Sequence, residues 1–356
     1  MINKLQIHKR SREGRCVSFG KHRFLMTPYR EFRQSLVRSA AWAVAVGVMV
    51  GALMAMGSEP GRDPFERNVE RIFGDDKLAD IRVVFGYDDY KGFLVTKDTF
   101  RAHRLIRHLQ IRSFTEVKPT EELAEELGVP ADAQNLRIYE GDGKDGERLR
   151  VSLIWSSATT DSAKNSGSEY ALQRRCSRQA LDFMKKAASN AEVMAYIGHS
   201  RGGGGPDTYP PETKGVDADG FPLTDFSYYR RTQPGLDALR GDFSKSPHLP
   251  HIIAWTSCRS ESHFSRWFGN VLSGKEHATS LILSTRLTSY MPINQEIRDQ
   301  DEGLMAFVCL LHSLQYRQTK SVLEENLKLC EMEVEHNPRQ AAWKLVALPS
   351  SNSKSN

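Results

Sequence analysis

From residue 148 onward the apolar positions switch repeatedly between a strand-like and a helix-like pattern. The runs "RLRVSLIWSS" (148–157), "AEVMAYIGHS" (191–200), "HLPHIIAWTSC" (248–258) and "ATSLILSTR" (278–286) are short and rich in apolar residues, as strands are. Between them, "SEYALQRRCSRQALDFMKKAA" (168–188) and "SHFSRWFGNVL" (262–272) carry helical periodicity, as does "DEGLMAFVCLLHSLQ" (301–315) after the last run. This alternation predicts an α/β fold of three layers, a mostly parallel central sheet with helices on both faces. The segment 201–245 reads as a loop-rich insertion. A helical stretch, "SVLEENLKLCEMEVEH" (321–336), closes the predicted main domain, 148–336. The strand "AAWKLVALP" and the polar tail "SSNSKSN" fall in 337–356, with the tail expected to be disordered.

Upstream, "DIRVVFGY" (80–87) reads as a strand, "TKDTFRAHRLIRHLQ" (96–110) as a helix and "TEELAEELG" (120–128) as a short helix ended by Gly128. The turn-rich "YEGDGKDGE" (139–147) is a domain boundary or a hairpin loop. Residues 58–147 are therefore expected to form a small amino-terminal α/β region, entered through the linker "SEPGRDPFE".

The first 57 residues differ in kind. Residues 1–38 hold ten Lys and Arg against only Glu13 and Glu31, and form a basic tail or an overlong start, since Met26 would begin a signal sequence of ordinary length. "AAWAVAVGVMVGALMAM" (40–56) follows without a charge, so 39–57 reads as a signal peptide or a transmembrane anchor. A positive flank on one side orients such a segment with its amino end in the cytoplasm, which puts the remainder in the periplasm or outside the cell. The formal charge of +5 comes from this tail; the rest of the chain has a slight acidic excess, so no nucleic-acid partner is expected. The five cysteines contain no C-x-x-C pair, and a Cys309–Cys330 bridge is open.

Three readings compete for the chemistry. Gly198-His199-Ser200-Arg201-Gly202 fits G-x-S-x-G, which makes Ser200 a candidate nucleophile of a serine esterase; however, the following "GGGGPDTYPP" cannot form the helix such a nucleophile needs. Zinc could draw on Cys258, His263, His248, His251 and His199, but none of the short tetrahedral-site spacings is present, and no metal or other cofactor is expected. The third reading uses His199, which ends one apolar strand, and Cys258, which ends the next, 59 positions later. Groups at the carboxyl ends of neighbouring parallel strands converge in one crevice.

Those two blocks resemble the caspase-like fold peptidases, the group that includes caspases, legumains, gingipains and separases. "TSCRSESHF" (256–264) is similar to the legumain-type block, with Ser260 two and Phe264 six residues after the Cys. The resemblance covers 148 to about 320 in order and spacing more than in identity. Ser200 and Ser257 stand where the family usually has Gly and Ala.

The resemblance implies a cysteine peptidase with peptide or protein substrates, Cys258 as nucleophile and His199 as proton carrier. Oxyanion donors would be the Cys258 N–H and the loop Ser200, Gly202, Gly203. Asp161 or Arg286 would select a basic or an acidic substrate side chain, and Asp207 and Glu261 would orient His199 or touch substrate. An inactive relative that serves as a binding module is the alternative within the same fold. If 39–57 is not cleaved, the membrane is a further partner.

Overall fold

A computed structural model describes residues 62–90, 93–275, 277–288, 301–330 and 341–348. The expectations for 1–38 and 39–57 and for the terminal tail lie outside these residues. Among the described residues, no helix is long and apolar enough to cross a membrane.

The described residues open with α1 (Pro64–Arg71), where the linker was expected; Pro64 at its first position and an Asp63 side chain that accepts from the Phe65 N–H at 2.8 Å start the helix. Strand β1 (Leu78–Phe85) follows, then the ribbon β2 (Asp89–Tyr90) and β3 (Phe93–Thr96). Next come α2 (Asp98–Ile111), β4 (Thr115–Val117), α3 (Glu121–Leu127), β5 (Leu136–Asp142) and β6 (Arg148–Trp155). A short α4 (Ser162–Ser166) and the long α5 (Tyr170–Asn190) lead to β7 (Val193–Ile197). The insertion holds the ribbon β8 (Thr213–Val216) and β9 (Pro222–Thr224), then α6 (Phe226–Thr232) and α7 (Pro234–Lys245). The series closes with β10 (Ile252–Trp255), α8 (Ser260–Val271), β11 (Thr279–Ser284), α9 (Glu302–Gln315), α10 (Lys320–Leu329) and β12 (Trp343–Leu348).

Eight strands form one sheet in the order β12-β11-β10-β7-β1-β6-β5-β4. The five central strands run parallel, and β12, β5 and β4 each run antiparallel to an inner neighbour. Residues 58–147 therefore do not precede the sheet as a region of their own. They supply β1, which lies between β6 and β7, and the turn at 143–147 is the hairpin loop between β5 and β6.

Side-chain alternation along the strands builds a core on each face. Ile81, Val83 and Phe85 pack with α1, α2, α9 and α10, whereas Val84 and Ile154 pack with α3, α5, α7 and α8. Three layers result, with the parallel strands buried on both sides, as their near-continuous apolar runs require. Cys309 on α9 is disulfide-paired with Cys330 at the end of α10.

The connections position the site. From β1 the chain leaves toward β6 on one side, and α2 covers one face; from β7 it leaves toward β10 on the other side, and α7 covers the opposite face. The sheet thus has its topological switch point between β1 and β7, and the crevice outside their carboxyl ends is where open α/β sheets bind ligands.

Candidate active site at the carboxyl end of the sheet

Three neighbouring strands deliver side chains to this crevice. Tyr196 on β7 is directly paired with Trp255 on β10, and the pairing continues one step through the Thr256 N–H, which donates to the Tyr196 carbonyl at 2.9 Å. Three residues past that pair, in the loop after each strand, stand His199 and Cys258. Both therefore stand just past the carboxyl ends of neighbouring parallel strands, β7 ending at Ile197 and β10 at Trp255. His199 and Cys258 are both partly exposed, as groups that must meet a substrate have to be.

Beyond β1 comes Asp88, which the sequence reading passed over. It is only 1% exposed, and its Oδ1 lies 2.9 Å from His199 Nε2. Its other oxygen is held by Arg101 on α2, whose Nε is held in turn by Asp301, the residue that caps α9. Burial alone would push the Asp88 carboxyl up, but the neighbouring His199 ring and Arg101 guanidinium outweigh it, and Asp88 is held far below the usual carboxylate range. Arg101 is likewise opposed by burial and held up by Asp301 and Asp88, with a further electrostatic interaction with Cys258. Cys258 thus lies within electrostatic reach of the same cluster. Its Sγ is 3.3 Å from the Thr288 hydroxyl, and it precedes the first turn of α8, whose N-terminal dipole favours a thiolate.

Two further titratable groups face Asp88. Lys97 is drawn down to about 7, chiefly by burial and then by Arg101, against the pull of Asp88. Asp98 is pushed up to about 7 by burial, although the N–H groups of Ser156 and Ser157 and the Ser157 hydroxyl all donate to it.

The loop after His199 is built for packing. A Cβ on Gly204 would lie 2.3 Å from the Tyr229 carbonyl oxygen on α6, and one on Gly235 of α7 would lie 1.9 Å from the Pro206 carbonyl oxygen. Gly204 and Gly235 therefore let the insertion close onto the loop. Gly202, at φ +65°, and Gly203 form a tight turn in which the Gly203 N–H donates to the Ser200 carbonyl at 2.9 Å. That amide is committed and is not an oxyanion donor.

Ser200 is buried at φ −82°, ψ −12°, ahead of this three-residue 3-10 turn and with no α-helix directly behind it. A nucleophile elbow needs a sharp, strained strand-to-helix turn, so the surroundings of Ser200 do not fit the esterase reading.

The four expected substrate-pocket residues have other employment. Asp161 caps α4, accepting from the N–H groups of Ala163 and Lys164. Asp207 is buried and holds Arg201 at 2.8 Å and the Tyr229 hydroxyl at 3.1 Å. Glu261 pairs with Lys344 on β12. Arg286 does lie beside the site, because its carbonyl accepts from the Arg259 N–H, but its guanidinium is paired with buried Glu302 at 2.7 Å. Asp88, and neither Asp207 nor Glu261, is the carboxylate at His199.

The zinc ligands considered from sequence are divided between the two ends of the sheet. His248 and His251 lie beside Glu192 and His277 at the amino-terminal edge, around a cavity of about 280 Å³, opposite the end that carries Cys258. Among the described residues no group of three or more His, Cys, Asp or Glu is arranged to hold a metal.

Ser257, where the family resemblance expects Ala, is fully buried with no hydrogen-bond partner for its hydroxyl among the described residues. Nothing at the site uses that oxygen. Asp88 left little trace in the sequence: it sits within the run "FGYDDY" in the manner of a solvated loop acid, and only the parallel pairing of β1 with β7 brings it to His199. No protein-family model, curated protein or solved structure matches the chain.

Proposed function

We propose that this chain is a caspase-like cysteine peptidase in which Cys258 is the nucleophile and His199 the acid–base group. The observation that carries this reading is that His199 and Cys258 follow the carboxyl ends of adjacent parallel strands, each three residues past the paired Tyr196 and Trp255, beside the sheet's switch point. In the proposed reaction the Cys258 thiol gives its proton to His199, and its sulfur bonds to the carbonyl carbon of the scissile peptide. His199 then delivers that proton to the departing amine as the C–N bond breaks, leaving a thioester on Cys258. A water molecule, deprotonated by His199, attacks the thioester and releases the carboxylate product and the thiol. The Cys258 N–H, two residues ahead of α8, is the backbone donor proposed for the oxyanion formed in both halves.

The peptidase is proposed to act outside the cytoplasm, on the strength of the apolar segment 39–57 and its basic flank. Incubation of the purified full-length chain with a peptide library, read by mass spectrometry, tests the activity. Cleavage that disappears in Cys258→Ala and His199→Ala is expected. Cleavage that survives both substitutions, or its complete absence from the wild type, would count against a peptidase and favour a binding module.

A further inference from the structure

We propose that Asp88, backed by Arg101 and Asp301, is the positioning residue that holds His199 in one tautomer, so that the working group is a Cys–His–Asp set and not a dyad. The inference rests on the peptidase reading above and deepens it.

The carboxylate meets the ring at Nε2. With the Nε2 proton assigned to the hydrogen bond with Asp88 at that separation, Nδ1 is left as the ring nitrogen to exchange a proton with the Cys258 sulfur. A buried carboxylate in that place fixes both the tautomer and the ring plane and favours the imidazolium that forms when the thiol ionises. Asp88 is itself fixed on its other side: Arg101 clamps it, and Asp301 clamps Arg101 while its Oδ1 accepts from the Leu304 N–H at 3.0 Å. Orientation of the ring is thereby tied to β1, α2 and the first turn of α9, rigid elements that belong to distant parts of the chain.

The charged groups around the pair are Lys97, Asp98 and Arg101 at the start of α2, Asp89 next in sequence, Asp301, and Cys258 itself. A purely structural Asp88 would only balance Arg101. A positioning Asp88 would also change the protonation behaviour of His199 and Cys258.

Two measurements on the full-length chain separate these roles. The first is the pH profile of Cys258 alkylation by iodoacetamide, in wild type, Asp88→Asn, Asp88→Glu, Asp301→Asn and His199→Ala. In Asp88→Asn the rate near pH 6 is expected to fall at least about tenfold, because the imidazolium loses its carboxylate. Above about pH 9 the thiol ionises unaided and the rates should converge. Asp88→Glu should recover part of the loss. Asp301→Asn keeps an oxygen to accept from Leu304 and should give a smaller loss of the same shape; it carries the test if Asp88→Asn does not fold. The second measurement is nitrogen NMR of ring-labelled His199, which should report the Nε2-protonated tautomer in wild type and a mixture in Asp88→Asn.

A His199-dependent reactive Cys258 whose profile is unchanged in Asp88→Asn and Asp301→Asn would overturn the positioning role and leave the peptidase reading standing. A Cys258 that is unreactive near pH 6 in wild type would remove the peptidase reading itself.

Discussion

Tyr196 ties down the backbone of His199: its hydroxyl donates to the His199 carbonyl at 2.9 Å and accepts from the Asp207 N–H at 2.9 Å. The same residue pairs with Trp255 across the sheet, so one buried side chain sets both the height of the His199 loop and its closure against residue 207. Tyr196→Phe keeps the ring and removes both bonds, leaving a buried amide without its acceptor. A loss of about 1–3 kcal/mol is expected in chemical denaturation. Cys258 alkylation at neutral pH should slow with it, because the loop that carries His199 loosens.

Ser200 offers its carbonyl, and not its hydroxyl, to the fold: the N–H groups of Gly203 and Gly205 both donate to that carbonyl. Ser200→Ala should therefore retain peptide cleavage within a few-fold of wild type, and a fluorophosphonate probe should leave Ser200 unmodified. Labelling of Ser200, or activity abolished by this substitution while Cys258→Ala remains active, would reverse the assignment of the nucleophile.

Asp98 gives a pH test with a definite sign. Its folded-state value, about 7, lies above the ordinary carboxyl value of about 3.9 because the group is buried. A carboxyl raised in this way adds stability below the unfolded value and loses it as pH climbs toward the folded one. In Asp98→Asn the amide can still accept from the Ser156 and Ser157 N–H groups and donate to the Ser157 hydroxyl, without a charge to desolvate. The stability of Asp98→Asn relative to wild type should rise between about pH 4 and 7 and level off above, by a few kcal/mol at most. A difference that stays flat across this window would mean that Asp98 titrates as an ordinary carboxyl.

Much of the sheet was legible in the sequence because parallel strands buried on both faces read as apolar runs. The four runs at 148–157, 191–200, 248–258 and 278–286 became β6, β7, β10 and β11, and "DIRVVFGY" became β1. The role of β1 was not legible, since periodicity reports an element and not its neighbours: a strand read as part of a separate region lies between β6 and β7.

Polar edge elements were lost for the opposite reason. Strand β4 is only Thr115–Val117 and mostly exposed, and β5 carries the polar run "EGD" at its end. In the insertion, α7 begins at Pro234 and contains Gly235 and Gly241, which hide its helical period. At the site, His199 and Cys258 could be found because each ends an apolar run. Asp88, Arg101 and Asp301 are separated by 13 and 200 positions, and only the folded chain assembles them.

The most direct measurement is the rate of Cys258 alkylation across pH in the wild type and in His199→Ala, with peptide mapping to distinguish Cys258 from the other thiols. Reaction of Cys258 well below pH 8, fastest among the free cysteines and slowed in His199→Ala, is the predicted result. A Cys258 that reacts only near the ordinary thiol range of about 8.5, with a profile indifferent to His199, would contradict it.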